Sequence, residues 1–223
     1  MNVSDALKSR ISVRAFLDKP VPRDVVERIL IAAGRAPSGG NLQPWHVWAL
    51  TGDELTRFKA LIAERMKASP MGEGTEYNIY PPALTEPYKT RRFKNGEDLY
   101  RTLGIPREEK PRRLKQLAKN FEFFGAPVGL FFAIDRQMEP GQWADLGMYM
   151  QSIMLLGVEN GLSSCPQEAW AAWHKTITEF VELPANLMIF CGMALGYPDP
   201  DHPINSLRTD RADCAEYITM RGF

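Results

Sequence analysis

Two arginines and a hydroxyl fall within five residues near the start of the chain, Arg10-Ile11-Ser12-Val13-Arg14. Guanidinium forks match phosphate oxygens, and in an extended segment residues 10, 12 and 14 share one face. That pattern can grip a phosphate. Two solvated arginines fit it as well, and spacing alone favours them. A second cluster, Ala36-Pro-Ser-Gly-Gly-Asn-Leu-Gln-Pro-Trp45, combines two glycines with the amides of Asn41 and Gln43. Glycines allow a backbone to approach a flat ligand, and amides can meet the edge of a heteroaromatic ring. A tight helix-to-strand turn accounts for the same residues. The third cluster, Cys165-Pro-Gln-Glu-Ala169, leaves a short strand with backbone N–H groups that can point at a ligand atom.

Other chemistries lack their signatures. There is no phosphate-loop lysine motif, no G-x-S-x-G elbow and no dinucleotide fingerprint after a strand. The three histidines, His46, His174 and His202, have no metal-ligand spacing, so no metal site is expected.

The elements that must position these clusters alternate between helical and strand patterns. Ser4 and Asp5 are candidate caps for a short helix over Leu7 to Arg10. A second helix follows Pro22, with Val25, Val26, Ile29, Leu30 and Ala33 on one face, and stops before Pro37. Trp45 to Leu50 reads as a strand, and Asp53 to Ala68 as an amphipathic helix burying Leu55, Phe58, Leu61, Ile62 and Met66. Residues 70–106 carry five prolines among several aromatics and predict an irregular segment. A helix is expected from about Arg107 to Phe124, with Leu114, Leu117 and Phe121 inward and Pro111 near its start. Between Pro82 and Lys119 eleven basic residues face five acidic ones. Either a solvated helix and loop or a basic, aromatic lid over a ligand explains that excess.

Pro127 to Ile134 is a nearly continuous apolar run, as a strand buried on both faces requires. The helix Gln142 to Asn160 is apolar around much of its circumference, which suits a central position or a subunit contact. Leu162 to Cys165 reads as a short strand, Trp170 to Leu183 as a helix, Leu187 to Ala194 as a buried strand, and Tyr217 to Met220 as strand-like. These elements predict an α+β fold.

Composition narrows the function. Lys plus Arg and Asp plus Glu number 27 each, for a net charge of 0 over 223 residues, with pI near 6.8. Such a balance lacks the overall positive field of a nucleic-acid binder. The longest apolar stretch, Trp143 to Leu162, contains Asp145, Gln151, Glu159 and Asn160, so no membrane span is expected. No leader pattern opens the chain, and Cys165, Cys191 and Cys214 are odd in number, so a reduced, cytoplasmic setting is expected.

Four ordered segments, RISVRAF, APSGGNLQPW, CPQEAW and PINSLRTDRA, resemble the FMN-dependent nitroreductase family along nearly the whole chain. The middle, EPYKTRRFKNGEDLYRTLGIPREEK followed by FFGAPVGLFF, resembles its nitrobenzoate-reductase branch. The resemblance implies a single nitroreductase-like domain over 1–223, with a central antiparallel sheet flanked by helices, in an intertwined homodimer. Residues 70–106 would form the lid over the flavin, and 205–223 an arm laid on the partner subunit. FMN would be held by Arg10, Ser12, Arg14, Arg208 and Arg211, and by Pro37, Ser38, Gly39 and Asn41 from the other subunit. Pro166, Gln167, Glu168 and Ala169 would line the ring. Ala169 stands where many relatives carry glycine, and Ile11 replaces a commonly polar residue. Tyr80, Tyr88, Arg91, Arg92 and Phe93 would meet the substrate.

The implied chemistry is ping-pong reduction of a nitroaromatic compound by NADH or NADPH, with hydride passing through flavin N5 and no side chain assigned as catalytic. Competing activities are another flavin reduction, such as ene reduction or a dehalogenation using Glu86, Tyr88 and Lys89, or a non-catalytic FMN-binding redox sensor.

Overall fold

A computed structural model describes all residues 1–223. Four strands form one antiparallel sheet in the order β1-β2-β4-β3: β1 His46–Thr51, β2 Val128–Asp135, β3 Ser163–Gln167 and β4 Leu187–Gly196. The central strands β2 and β4 are buried along nearly their full length, which explains why both read as apolar runs. Alternate residues feed two cores. Phe131, Ala133, Ile189 and Ala194 face one side with Leu55, Phe58, Trp170 and Trp173. Leu130, Phe132, Ile134, Met193 and Leu195 face the other with Ile29, Leu146, Tyr149 and Ile153.

The first core is covered by α3, here Gly52–Ala68, and the second by α2 (Arg23–Ala33) and α6 (Pro140–Glu159). Helix α6 opens with a capping box in which Glu139 and Gln142 satisfy each other's backbone N–H groups. It buries one face in the protomer and leaves Met148 exposed. A register shift between Phe132 and Ala133 leaves Phe190 of β4 outside the paired ladder. The Phe190 carbonyl accepts instead from Tyr77 Oη at 2.5 Å, which pins the 70s loop across the sheet.

Several expectations need correction. Residues 70–106 are not irregular throughout: Tyr88–Thr102 form a regular helix, α4, and only the segments before and after it are irregular. The stretch has no interior proline and no apolar stripe, and i,i+4 and i,i+3 pairs such as Lys94–Asp98 and Arg101–Asp98 support it. The expected helix over 107–124 is α5, Lys110–Ala118, with Pro111 in its first turn, followed by a 3-10 segment, Lys119–Gly125. Leu114 and Leu117 of α5 are exposed rather than inward, while Phe121 does pack on Trp170 and Trp173. The first helix, α1, is Val3–Ser9 and takes its cap from Asn2, whose Oδ1 accepts from Asp5 N–H. The Trp170–Leu183 helix is a 3-10 turn, Glu168–Trp173, followed by α7, His174–Phe180. Tyr217 to Met220 have no strand partner in the protomer and are exposed, after a 3-10 turn at Cys214–Glu216 capped by Asp213.

Candidate functional site

Residues 10–16 leave α1 extended and join the edge of the sheet. Ser12 bridges Ser164 of β3, Val13 N–H donates to the Ser164 carbonyl at 3.1 Å, and Phe16 bridges Pro198. Val13 is buried on the inner side of this run, so the alternating Arg10, Ser12 and Arg14 face a cavity. Asn205 holds the run from the C-terminal side. Its Oδ1 accepts from Arg14 N–H at 2.9 Å, and its Nδ2 donates to the carbonyls of Ala15 and Asp199, both at 2.8 Å.

The cavity, about 920 Å³, lies between residues 10–14, α4 and the tail from Leu207 to Glu216. It gathers Arg10, Ser12, Arg14, Arg208 and Arg211, expected at the flavin, with Tyr80, Arg91 and Arg92, expected at the substrate. Arg14, Arg208 and Arg211 donate only to nearby backbone carbonyls and to Thr209 Oγ1. None of these three, nor Arg10, pairs with a carboxylate. Four uncompensated guanidinium groups beside a hydroxyl form a donor set suited to a phosphate dianion.

Two ion pairs bound the cavity between α4 and the tail. Arg91 Nη2 meets Glu216 Oε2 at 2.5 Å, and Lys94 Nζ meets both Asp210 and Asp98 at 2.6 Å. Arg92 has no carboxylate partner and lies over the Tyr80 ring, 3.9 Å from its centroid. Tyr88 and Phe93 do not line the cavity; both are exposed on α4, Phe93 with Arg107 over its ring.

The remaining predicted residues lie elsewhere in the protomer. Pro37, Ser38, Gly39 and Asn41 form a turn against α6, away from the cavity. Ser38 Oγ accepts from Gln43 N–H, and Gly39 N–H donates to Asp145 Oδ2 at 3.1 Å. Pro166 and Gln167 end β3, and Glu168 and Ala169 open the 3-10 turn that follows. The Gln167 side chain points into the core, donating to Asn120 and accepting from Trp170 Nε1, so it is committed within the protomer. Glu168 is half-buried without a hydrogen-bond partner, and burial pushes its carboxyl above the ordinary range. Sequence reasoning missed Asn205 and Asp145. Asn205 lies inside the quoted PINSLRTDRA segment, and Asp145 is a lone charge in the apolar helix.

No group of His, Cys, Asp and Glu side chains has the geometry of a metal site. No helix is long and apolar enough to cross a membrane.

Residues 7–197 match the model of the nitroreductase family. The chain is 36% identical to the nitrobenzene nitroreductase of Ectopseudomonas oleovorans, covering 98% of this chain and 96% of that protein. It is 36% identical to the 4-nitrobenzoate reductase of Pseudomonas putida, over 96% of this chain and 93% of that one. Similarity to an iodotyrosine dehalogenase 1 homolog of Caenorhabditis elegans extends over only 29% of this chain and 19% of that protein. Among solved structures, the FMN and NADPH-dependent nitroreductase NfnB from Sphigopyxis sp. strain HMH superposes with TM-score 0.96 at 45% identity, each chain covered in full. The FMN-dependent NfnB of Mycobacterium smegmatis, solved with NADPH, gives TM-score 0.92 at 26% identity over 98% of both chains. With a family model that spans most of its length and relatives this similar from end to end, the chain belongs to the nitroreductase family.

Proposed function

We propose that this protein is an FMN-dependent NAD(P)H oxidoreductase that reduces nitroaromatic compounds. The observation that carries the reading is the set of four guanidinium groups, Arg10, Arg14, Arg208 and Arg211, without carboxylate partners around one cavity. Nitroreductases of nitrobenzene and nitrobenzoate among the relatives, and FMN- and NADPH-dependent ones among the structures, support the substrate class and the cofactors.

When bound, FMN would supply two-electron chemistry: one hydride equivalent from NADPH or NADH with one proton takes nitro to nitroso with loss of water, and a second hydride and proton take nitroso to hydroxylamine. The chain's own residues bind and orient. Arg10, Arg14, Arg208 and Arg211 neutralise the phosphate, and Ser12 hydrogen-bonds to it or to the ribityl chain. Backbone N–H groups of Pro166–Ala169 other than proline's face the ring, where fixed dipoles stabilise negative charge. Pro37, Ser38, Gly39 and Asn41 reach the flavin of a second copy, so the working unit is a homodimer. Exposed Ile31, Leu42 and Met148 near α6 support an apolar contact of that kind, and exposed Tyr217, Ile218, Met220 and Phe223 support an arm that lies on the partner. A reducing compartment, the cytoplasm, suits the three free cysteines.

Arg92 and Tyr80 on the far wall meet the dissociable ligands. The dehalogenase reading loses support because Glu86 Oε2 accepts from Thr90 N–H and so serves the first turn of α4.

The test is a visible spectrum of the purified protein, repeated anaerobically with NADPH or NADH. Yellow protein that bleaches and recovers its colour with 4-nitrobenzoate or nitrobenzene is expected. Yellow protein that never bleaches would favour a redox sensor. Colourless protein that cannot be reconstituted with FMN would overturn the assignment.

A further inference from the structure

Asp145 lies in the first half of α6 and is only 5% exposed, yet it forms no ion pair. A carboxylate taken out of water is costly unless cations or donors replace the lost solvent. The donor it receives is the backbone N–H of Gly39, 3.1 Å from Oδ2. This hydrogen bond ties α6 to the turn at residues 38–43, which is otherwise held by bonds within itself. Asn41 N–H donates to the Ser38 carbonyl at 2.9 Å, and Gln43 N–H to Ser38 Oγ at 3.0 Å.

The turn is conformationally costly. Gly40 and Asn41, residue types that enter the left-handed region readily, have φ of 57°, but Gln43 at 50° is disfavoured there. A strained turn persists when its surroundings over-determine it, and an ionised acceptor grips a backbone N–H about twice as strongly as a neutral one. Asn41 is exposed, and its side-chain amide makes no hydrogen bond within the chain, so the anchored turn presents it outward.

We propose that Asp145 is a positioning residue: its carboxylate holds the 38–43 turn in the shape that offers Asn41 and the adjacent glycine backbone to the flavin. The proposal rests on the flavin reading above and adds to it a residue on the apolar helix that touches neither cofactor nor substrate.

The experiment compares Asp145→Ala and Asp145→Asn with the unmodified protein by titrating apoprotein into FMN and following flavin fluorescence. Visible circular dichroism of the bound flavin and the thermal midpoint of the apoprotein are measured alongside. Asp145→Ala should weaken FMN binding about tenfold and alter the flavin dichroism. Asp145→Asn, which keeps an acceptor at the same place, should return affinity to within about threefold. Hydrogen exchange over residues 36–44 of the apoprotein should quicken in Asp145→Ala and not in Asp145→Asn. Unchanged FMN affinity in Asp145→Ala, or a loss that tracks a lower thermal midpoint and is not rescued by asparagine, would overturn the proposal alone. Failure of the unmodified protein to bind FMN would overturn the flavin reading and this role with it.

Discussion

The Arg92 guanidinium stacks over the Tyr80 ring at 3.9 Å with no carboxylate to neutralise it, while its neighbour Arg91 is paired with Glu216. One of two adjacent arginines is therefore part of the protein's internal charge pairing and the other is available to a ligand. An aromatic support limits the side-chain freedom that a long exposed arginine otherwise loses on binding.

Arg92→Leu tests that availability. The group is exposed, so its charge-assisted contact is worth about 1 kcal/mol, below the range for buried ones, or roughly a fivefold effect. KM should rise for NADPH and not NADH if Arg92 meets the 2′-phosphate, or for 4-nitrobenzoate and not nitrobenzene if it meets a carboxylate. Flavin content should not change. Four unchanged KM values would make Arg92 a solvated surface residue.

Asn205→Ala removes one acceptor and two donor bonds that hold Arg14 and Ala15 against the Pro198 segment. At about 0.5–1.5 kcal/mol each, the loss should be roughly 2–3 kcal/mol in urea unfolding. FMN affinity should fall with it, because the run carrying Arg10, Ser12 and Arg14 is no longer fixed. Asn205→Asp keeps the acceptor but sets a carboxylate oxygen against the carbonyls of Ala15 and Asp199, so it should cost at least as much as alanine. Unchanged FMN affinity in the alanine variant would show that the run holds its shape without this side chain.

The parts of this architecture that the sequence discloses are those with a local pattern. Strand β2 is apolar on both faces because both faces are buried, and Arg10, Ser12 and Arg14 alternate because their run is extended. Helix α4 escaped notice because it buries no residue fully, so nothing apolar marks its period. Leu114 and Leu117 follow a helical spacing yet stay exposed, since periodicity shows a shared face without showing what covers it. Asn205 acts on residues some 190 positions away, and no local rule reaches that far. Asp145 was legible only as a charge that argues against a membrane span.

Acid stability should depend on Glu73. Its carboxylate accepts from Thr176 N–H at 2.9 Å and Thr176 Oγ1 at 2.6 Å, with Arg65 3.5 Å away. Burial raises its pKa, but the Thr176 hydrogen bonds and the Arg65 charge together outweigh burial and hold it below 4.5. A carboxyl depressed by folding contributes stability above its unfolded value, and that contribution disappears as pH falls through the folded value. Glu73→Gln should lower stability at neutral pH by about 1–2 kcal/mol and flatten its decline below pH 4.5. Parallel acid limbs for the two proteins in urea unfolding from pH 3 to 7 would contradict this.

Gly192 in β4 stands directly under Trp170. A Cβ there would come within 2.3 Å of Trp170 Cδ1 and 3.0 Å of Cγ and Nε1. The indole cannot yield easily: it is fully buried among Phe58, Phe121, Phe123 and Phe131, with ring centroids 4.6–5.4 Å away. Gly192→Ala should therefore cost about 1–3 kcal/mol from overpacking. Any movement of Trp170 pulls on Pro166–Ala169 through the Gln167 bond, so the visible spectrum of bound flavin should shift as well. Gly141→Ala is the control, since nothing lies within 4 Å of a Cβ in that first turn of α6. It should be neutral or stabilising by up to about 1 kcal/mol and leave the spectrum unchanged. Equal thermal midpoints for the two variants would mean that the aromatic cluster repacks freely around position 192.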